Sequence, residues 1–407
     1  MKLPRLLPPN TSAVVAPLLA ARGLRAFADG FIAVLLPIYL LERGFSVFEV
    51  GLISTVTLSG SAALTLLVGV MGHRLGGRAL LIAACFLMVA TGLGFAFLDG
   101  LWPILVVAFL GTLNPSSGDV SVFLPLEQRA LAQATAAEHR TALFARYSLV
   151  GSLAAALGAL AAGLPELITG AEAPGVAALR PMFLLYVLIG LLCLPLYFRV
   201  RDVPTMTARK RAPLGPSRGL VFKLAALFSV DAFAGGFVLQ SILVLWLHQE
   251  FNLSAAAAGQ FFFLSGLVSA GSYLIAVPIA RRIGLINTMV FTHVPASLFL
   301  IGAAFAPTLW LVLLFLLLRS ALSQMDVPAR TSYVMGIVTP DERAAAAAVT
   351  AVPRSLAAAL SPIIAGGLLA AAPFLPFVLC GGLKIAYDLA LWRGFRKLKA
   401  PEERRPN

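Results

Sequence analysis

Along most of this chain the apolar residues neither alternate nor keep to one stripe. They run in blocks of about 20, the length a helix needs to cross the hydrocarbon core of a bilayer. Twelve such blocks can be laid out, at residues 14–41, 48–71, 79–98, 101–124, 142–164, 181–198, 220–247, 254–280, 286–306, 308–328, 344–371 and 374–394. The pattern predicts an all-α membrane protein with twelve transmembrane helices. Most connections are short. The exception, RVRDVPTMTARKRAPLGPSRG at 199–219, is rich in proline and basic residues and reads as a linker. It divides the chain into a first six-helix bundle at 1–198, the cytoplasmic linker 199–219, a second bundle at 220–396 and a cytoplasmic tail at 397–407.

Composition agrees with the pattern. Of the 407 residues 59% are hydrophobic and 12% charged, and the mean hydropathy is +0.92, whereas a soluble domain carries about 25% charged residues. The net charge of +13 would suit nucleic acid only as an exposed basic face. The basic residues stand instead in alternate connections. Arg129, Arg140, Arg281, Arg282, Arg330 and Arg343 fall on the side of the linker and tails, and little beyond Arg43 and Arg180 falls on the other. The positive-inside rule then places both termini in the cytoplasm and calls for an even number of spans. The opening MKLPRLLPPNTSAVVAPLLAA, faintly like a signal peptide, is accordingly read as part of an uncleaved first span.

Candidate chemistry is sparse. Cys85, Cys193 and Cys380 are scattered through apolar blocks without metal or disulfide spacing, and His293, alone in span 9, reads as a packing residue. No metal or cofactor is expected. There is no P-loop, which sets ATP hydrolysis aside. A membrane enzyme or lipid-handling protein would need a metal-binding acid cluster or a nucleophile with its base, and neither stands in the sequence. Tyr39, Tyr147, Tyr333 and Trp246 read as interfacial anchors.

The two bundles are related. FADGF at 27–31 matches FAGGF at 233–237, Ser46 and Gly51 match Ser254 and Gly259, GHRLG at 72–76 matches ARRIG at 280–284, and SLAAAL occurs at 152–157 and 355–360. Such ordered matches predict a duplicated six-helix unit, the internal symmetry of many transporters. The loop GVMGHRLGGR at 69–78 resembles the signature of the major facilitator superfamily between its second and third helices. Gly69, Gly72, Arg74, Gly76 and Arg78 fit it, and His73 stands where that family usually has Asp. The resemblance implies two pseudo-symmetric bundles and a gating role for this loop. It also implies a central cavity lined by the first helix of each three-helix group.

Those helices carry the intramembrane acids: Asp29 on span 1, Asp119 on span 4, Asp231 on span 7 and Asp326 on span 10. A charged residue at a helix centre costs about 2.5–3.5 kcal/mol on insertion scales, so such residues face an interior or an aqueous cavity. Arg22, Arg25 and Asp29 share one helix face, as do Arg319, Ser323, Asp326 and Arg330. Each stripe fits either a salt-bridged gate or a substrate and proton site. Asp231 occupies the repeat position of Arg25, and the pair is expected to form a latch between bundles. Gln240, nine residues on, falls on the opposite face of a continuous helix and reads as packing. Lys384 and Asp388 read as an i,i+4 pair. On span 4, TLNPSSGD at 112–119 holds Asn114 beside Pro115 and Gly118, the irregular backbone that lines cavities.

The reading is therefore a secondary active transporter of a small solute, working by alternating access and coupled to H⁺. A monomer in the bacterial inner membrane is expected. Export is the direction that the resemblance implies. Uptake is the alternative, and so is a membrane enzyme on the same scaffold. The proposed pathway residues are Arg25, Asp29, Asn114, Asp119, Asp231, Arg319 and Asp326, with the gating loop at Gly69, Gly72, His73, Arg74, Gly76 and Arg78.

Overall fold

The computed structural model describes residues 12–71, 76–116, 121–134, 140–171, 174–200, 214–339 and 342–398. Among these there is no strand. The helices are α1 (Val15–Glu42), α2 (Val47–Met71), α3 (Gly77–Phe97), α4 (Leu101–Leu110), α5 (Phe123–Gln133), α6 (Arg140–Ala161), α7 (Leu164–Thr169) and α8 (Val176–Phe198). They continue with α9 (Arg218–Gly236), α10 (Gln240–Phe251), α11 (Ala255–Ile283), α12 (Leu285–Ala304), α13 (Leu309–Ser323), α14 (Asp326–Ile337), α15 (Arg343–Ala371) and α16 (Leu375–Phe395). Eleven segments of the described residues are long and apolar enough to cross a membrane; α4, with ten residues, is a shorter apolar helix.

Three expected spans are interrupted. In span 4 the first helix ends at Leu110, residues 111–116 are not helical, and the next described helix runs from Phe123 to Gln133, beyond the expected end at 124. The cause is local. Asn114 Oδ1 accepts bonds from the Ser116 backbone N–H (3.0 Å) and hydroxyl (2.7 Å), Thr91 Oγ1 accepts the Thr112 N–H at 3.2 Å, and Pro115 has no N–H to give a helix. Span 7 breaks between α9 and α10, and span 10 breaks between α13 and α14 and continues to Ile337, well past 328.

Two compact units emerge. Unit 1 contains residues 1–45, 56–207 and 254–263; unit 2 contains 46–55, 208–253 and 264–407. Within unit 1, α1 packs on α6 and α8, and α3 on α8; within unit 2, α9 packs on α15 and α16, and α12 on α13, α14 and α16. The repeat is visible in this packing. A Cβ at Gly30 would run into the Ala155 carbonyl, and one at Gly236 into the Ala358 carbonyl. Both glycines are the fourth residue of the FADGF/FAGGF match, and both carbonyls lie in the SLAAAL strings. Only a residue without a side chain lets these helices approach so closely.

The two ten-residue segments assigned away from their sequence neighbours, 46–55 and 254–263, are equivalents in the repeat. Within unit 2, Gly51 lies against the Pro362 carbonyl; within unit 1, Gly259 lies against that of Ala159. Both segments open on a capping serine. Ser46 Oγ accepts the Glu49 N–H (3.3 Å) while the Glu49 carboxylate accepts the Ser46 N–H (2.7 Å), a capping box. Ser254 Oγ accepts the Ala257 N–H at 3.3 Å, and the carboxylate is supplied from a distance, by Glu166, which accepts the Ala256 N–H at 2.9 Å.

Candidate functional site

Unit 2 gathers its buried charges around one carboxylate. Asp231 on α9 accepts Lys384 Nζ from α16 at 2.6 Å and Arg330 NH1 from α14 at 3.0 Å. Arg330 also lies 3.4 Å from Asp326, one turn earlier on its own helix. His293 on α12 completes the cluster. Its Nδ1 is 3.2 and 3.1 Å from the two carboxylate oxygens of the fully buried Asp388, and its Nε2 is 3.3 Å from Lys384 Nζ and 3.8 Å from Asp231 Oδ1.

One neutral tautomer of His293 suits these contacts. A lysine ammonium only donates, so Nε2 of His293 accepts from Lys384, and the ring proton sits on Nδ1, donated to Asp388. The cluster borders a cavity of about 180 Å³, which Arg319 of α13, Ser323 and Arg354 of α15 also line.

Unit 1 has a counterpart of different character. Arg25 on α1 forms a buried ion pair with Glu127 on α5. Its Nε donates to the Tyr197 hydroxyl at 3.0 Å, which in turn donates to Glu127 at 2.6 Å, and the Tyr147 hydroxyl donates to the same carboxylate. The Arg25 guanidinium lies 4.0 Å above the centre of the Phe123 ring, and that of Arg22 lies 5.1 Å from the Tyr147 ring centre. Glu127 has no exposed surface. The network is sealed by phenols and rings.

The two ion pairs are related. Asp231 stands at the FAGGF repeat position of Arg25, and Arg330 follows Glu127 by the 203 residues that separate the two SLAAAL strings. The duplicated unit therefore keeps one contact, between the first helix and the helix after the break in the fourth, and reverses its charges. This overturns the expected latch. Asp231 is held by Arg330 and Lys384 and Arg25 by Glu127, each inside its own unit.

Other expectations also change. Lys384 and Asp388 do not pair as i,i+4 neighbours: one reaches Asp231 and the other His293. His293 is not a bystander in the packing but the bridge between them. The face assigned to Gln240 assumed a continuous helix, and the break after Gly236 removes that relation. Tyr39, Tyr147, Tyr333 and Trp246 are buried and not interfacial anchors. Asp29 is buried on α1, a turn from Arg25, and Asn114 is buried with its Oδ1 in the turn that ends α4. Arg319 lines the unit 2 cavity together with Asp231 and Asp326. Gly76 precedes the first residue of α3, Gly69 lies in α2, and Arg78 stacks 5.4 Å from the Phe198 ring. Asp119, Gly72, His73 and Arg74 lie outside the described residues.

Glu127 is the residue that sequence reading missed, because it follows the end of the apolar block. A signal was present: with Phe123, Leu126, Ala130 and Leu131 it forms the buried stripe of α5, an acid placed on an apolar face.

The fold has many relatives. The chain is 26% identical to the uncharacterized membrane protein YJR124C of Saccharomyces cerevisiae, over 90% of this chain and 91% of that one. It superposes on the nucleoside transporter NupG with a TM-score of 0.72 at 14% identity, covering 94% of this chain and 99% of that one. With a D-xylose-proton symporter the TM-score is 0.72 at 17% identity, over 96% and 98% of the two chains. The model of the Major Facilitator Superfamily matches residues 18–319 and 225–407, and with the duplicated bundles and their shared glycine contacts this settles the lineage: the chain is a multi-pass membrane protein of the Major Facilitator Superfamily, a family of transporters and not of enzymes.

Proposed function

We propose that this protein is a proton-coupled secondary transporter of a small solute, a monomer with both termini in the cytoplasm. The observation that carries the coupling is His293, set between a carboxylate on one ring nitrogen and a lysine on the other. The groups facing it are Asp388 and Lys384 from α16 and Asp231 from α9, with the Tyr387 ring packed edge-on at 6.2 Å. Protonation weakens the hold of Lys384 on the ring and draws Asp231 toward it. Asp231 also holds Arg330 of α14, so the exchange is felt on a helix lining the cavity. Arg25, Asp29, Asn114 and Asp119 form the unit 1 side of the pathway, with Asp326 and Arg319 on the unit 2 side. Export is the direction the family resemblance implies. The D-xylose-proton symporter shows by its name that this fold supports such coupling.

The test is flux in liposomes holding the purified protein, a pH-sensitive dye and a panel of candidate solutes. A transported solute should collapse or be driven by an imposed pH gradient. His293→Asn should abolish the gradient-driven part and leave solute exchange. Flux that ignores the gradient in the unaltered protein would refute coupling, and inside-out vesicles decide between export and uptake.

A further inference from the structure

We propose that the unit 2 cavity receives the acidic group of an organic anion, bound by Arg319 and Arg354; the inference rests on reading this cavity as part of the solute pathway. Of the four permanent cations lining the cavity, Lys384 and Arg330 are engaged by Asp231, and Arg330 by Asp326 as well. Those two carboxylates are the only ones lining it among the described residues, and Arg319 and Arg354 have no ion-pair partner there. The lining thus carries two more positive charges than negative ones before His293 is counted.

Such a surplus selects a ligand. A cationic solute would need a carboxylate, and both are already committed. A neutral solute would leave the charge of Arg319 and Arg354 unmatched, whereas an anion would balance it. A carboxylate or phosphate matches the planar fork of arginine with paired, charge-assisted hydrogen bonds. A further donor points the same way. Ser297, on α12, is among the residues lining the cavity; it is 2% exposed, and its hydroxyl has no hydrogen-bond partner among the described residues.

Size narrows the class. At about 30 Å³ per water, the volume equals roughly six waters, below the 300–1,000 Å³ or so of drug-sized sites. The cavity has room for an acidic headgroup or a small monoacid.

The experiment uses the full chain in detergent and a matched series of probes: benzoate, phenyl phosphate, benzamide and benzylamine. Ligand that binds the folded state raises the unfolding temperature by mass action. Benzoate or phenyl phosphate should raise it, and which of the two does so tells carboxylate from phosphate; benzamide and benzylamine should not. Arg319→Gln should weaken the anion at least about tenfold, as expected for loss of a charge-assisted contact. Arg319→Lys should retain part of the affinity, and Arg354→Gln and Ser297→Ala should each reduce it. If Arg319→Gln does not fold, the other three variants carry the test. The proposal is overturned if neither anion stabilises the protein, if benzylamine stabilises it instead, or if the anions stabilise the variants as well as the parent. No pH gradient enters this assay. Anion binding without gradient-driven flux would therefore sink the coupling alone, and gradient-driven flux of neutral solutes without anion binding would sink this inference alone.

Discussion

Units 1 and 2 bury the same ion pair with its charges exchanged, and the surroundings of the two pairs diverge. In unit 1, Arg25 and Glu127 are closed in by Tyr147, Tyr197 and Phe123. In unit 2, Asp231 and Arg330 are joined by Lys384 and His293 and open onto a cavity. Duplication supplied one contact, and neighbours decided its use. In unit 1 phenols fill the coordination of the carboxylate; in unit 2 a lysine and an imidazole stand beside it, so that Asp231 has three partners within 4 Å.

The largest effect that would break this contrast lies in unit 1. Removing one member of a fully buried pair strands the other, at a cost of about 3–5 kcal/mol, whereas replacing both by apolar residues is often close to neutral. Glu127→Ala should therefore lower stability by about that amount, and the Arg25→Met/Glu127→Leu double variant should recover most of it in detergent unfolding. A double variant no better than the single one would show that unit 1 needs its charges for more than packing.

Next in size is the functional contrast. Tyr147→Phe removes one bond to Glu127, and should cost about 1 kcal/mol of stability without altering proton-driven flux. His293→Asn should do the reverse. Loss of coupling in the tyrosine variant would place the proton route in unit 1.

Gly30→Ala and Gly236→Ala test what the units share. Each puts a Cβ against a facing carbonyl and should destabilise by about 1–3 kcal/mol, in unfolding measurements on both variants. A large difference between them would mean that the repeat is not kept in packing.

The smallest effect belongs to Glu342, outside the spans. Hydrogen bonds from Thr339 and Ser217, then from the Gly215 and Ser217 backbone, hold its carboxyl at about 2 against an ordinary 4.5. A depressed value stabilises the fold above the unfolded value, so the contribution is complete above pH 4.5 and fades as pH falls toward 2. The stability gap between the parent and Glu342→Gln should narrow over that window, and a gap independent of pH would show that ionisation plays no part.

Much of the fold was legible because a membrane span is written in composition. The repeat was legible because its glycines meet carbonyls at equivalent places. The breaks were less so: Gly111 and Gly236 sit inside apolar runs whose hydropathy does not register a lost helical turn. The site was only half legible. Asp231, Arg319 and Asp326 stand out as charges in apolar blocks, but Lys384 is 153 residues from its partner Asp231. The sequence pattern that joins Lys384 to Asp388 says nothing of this, since neighbours on one helix face can point to different helices. Glu127 was hidden by lying past the apolar block that defines span 4.

The contrast between a sealed and an open charge cluster can be measured directly, in a background with Cys85, Cys193 and Cys380 replaced. Ser323→Cys lines the unit 2 cavity, and Ala130→Cys lies on the buried face of α5 that carries Glu127. A charged, water-soluble methanethiosulfonate reagent should modify the first in membranes and spare the second. An inert Ser323→Cys, or an Ala130→Cys that reacts as fast, would contradict the account.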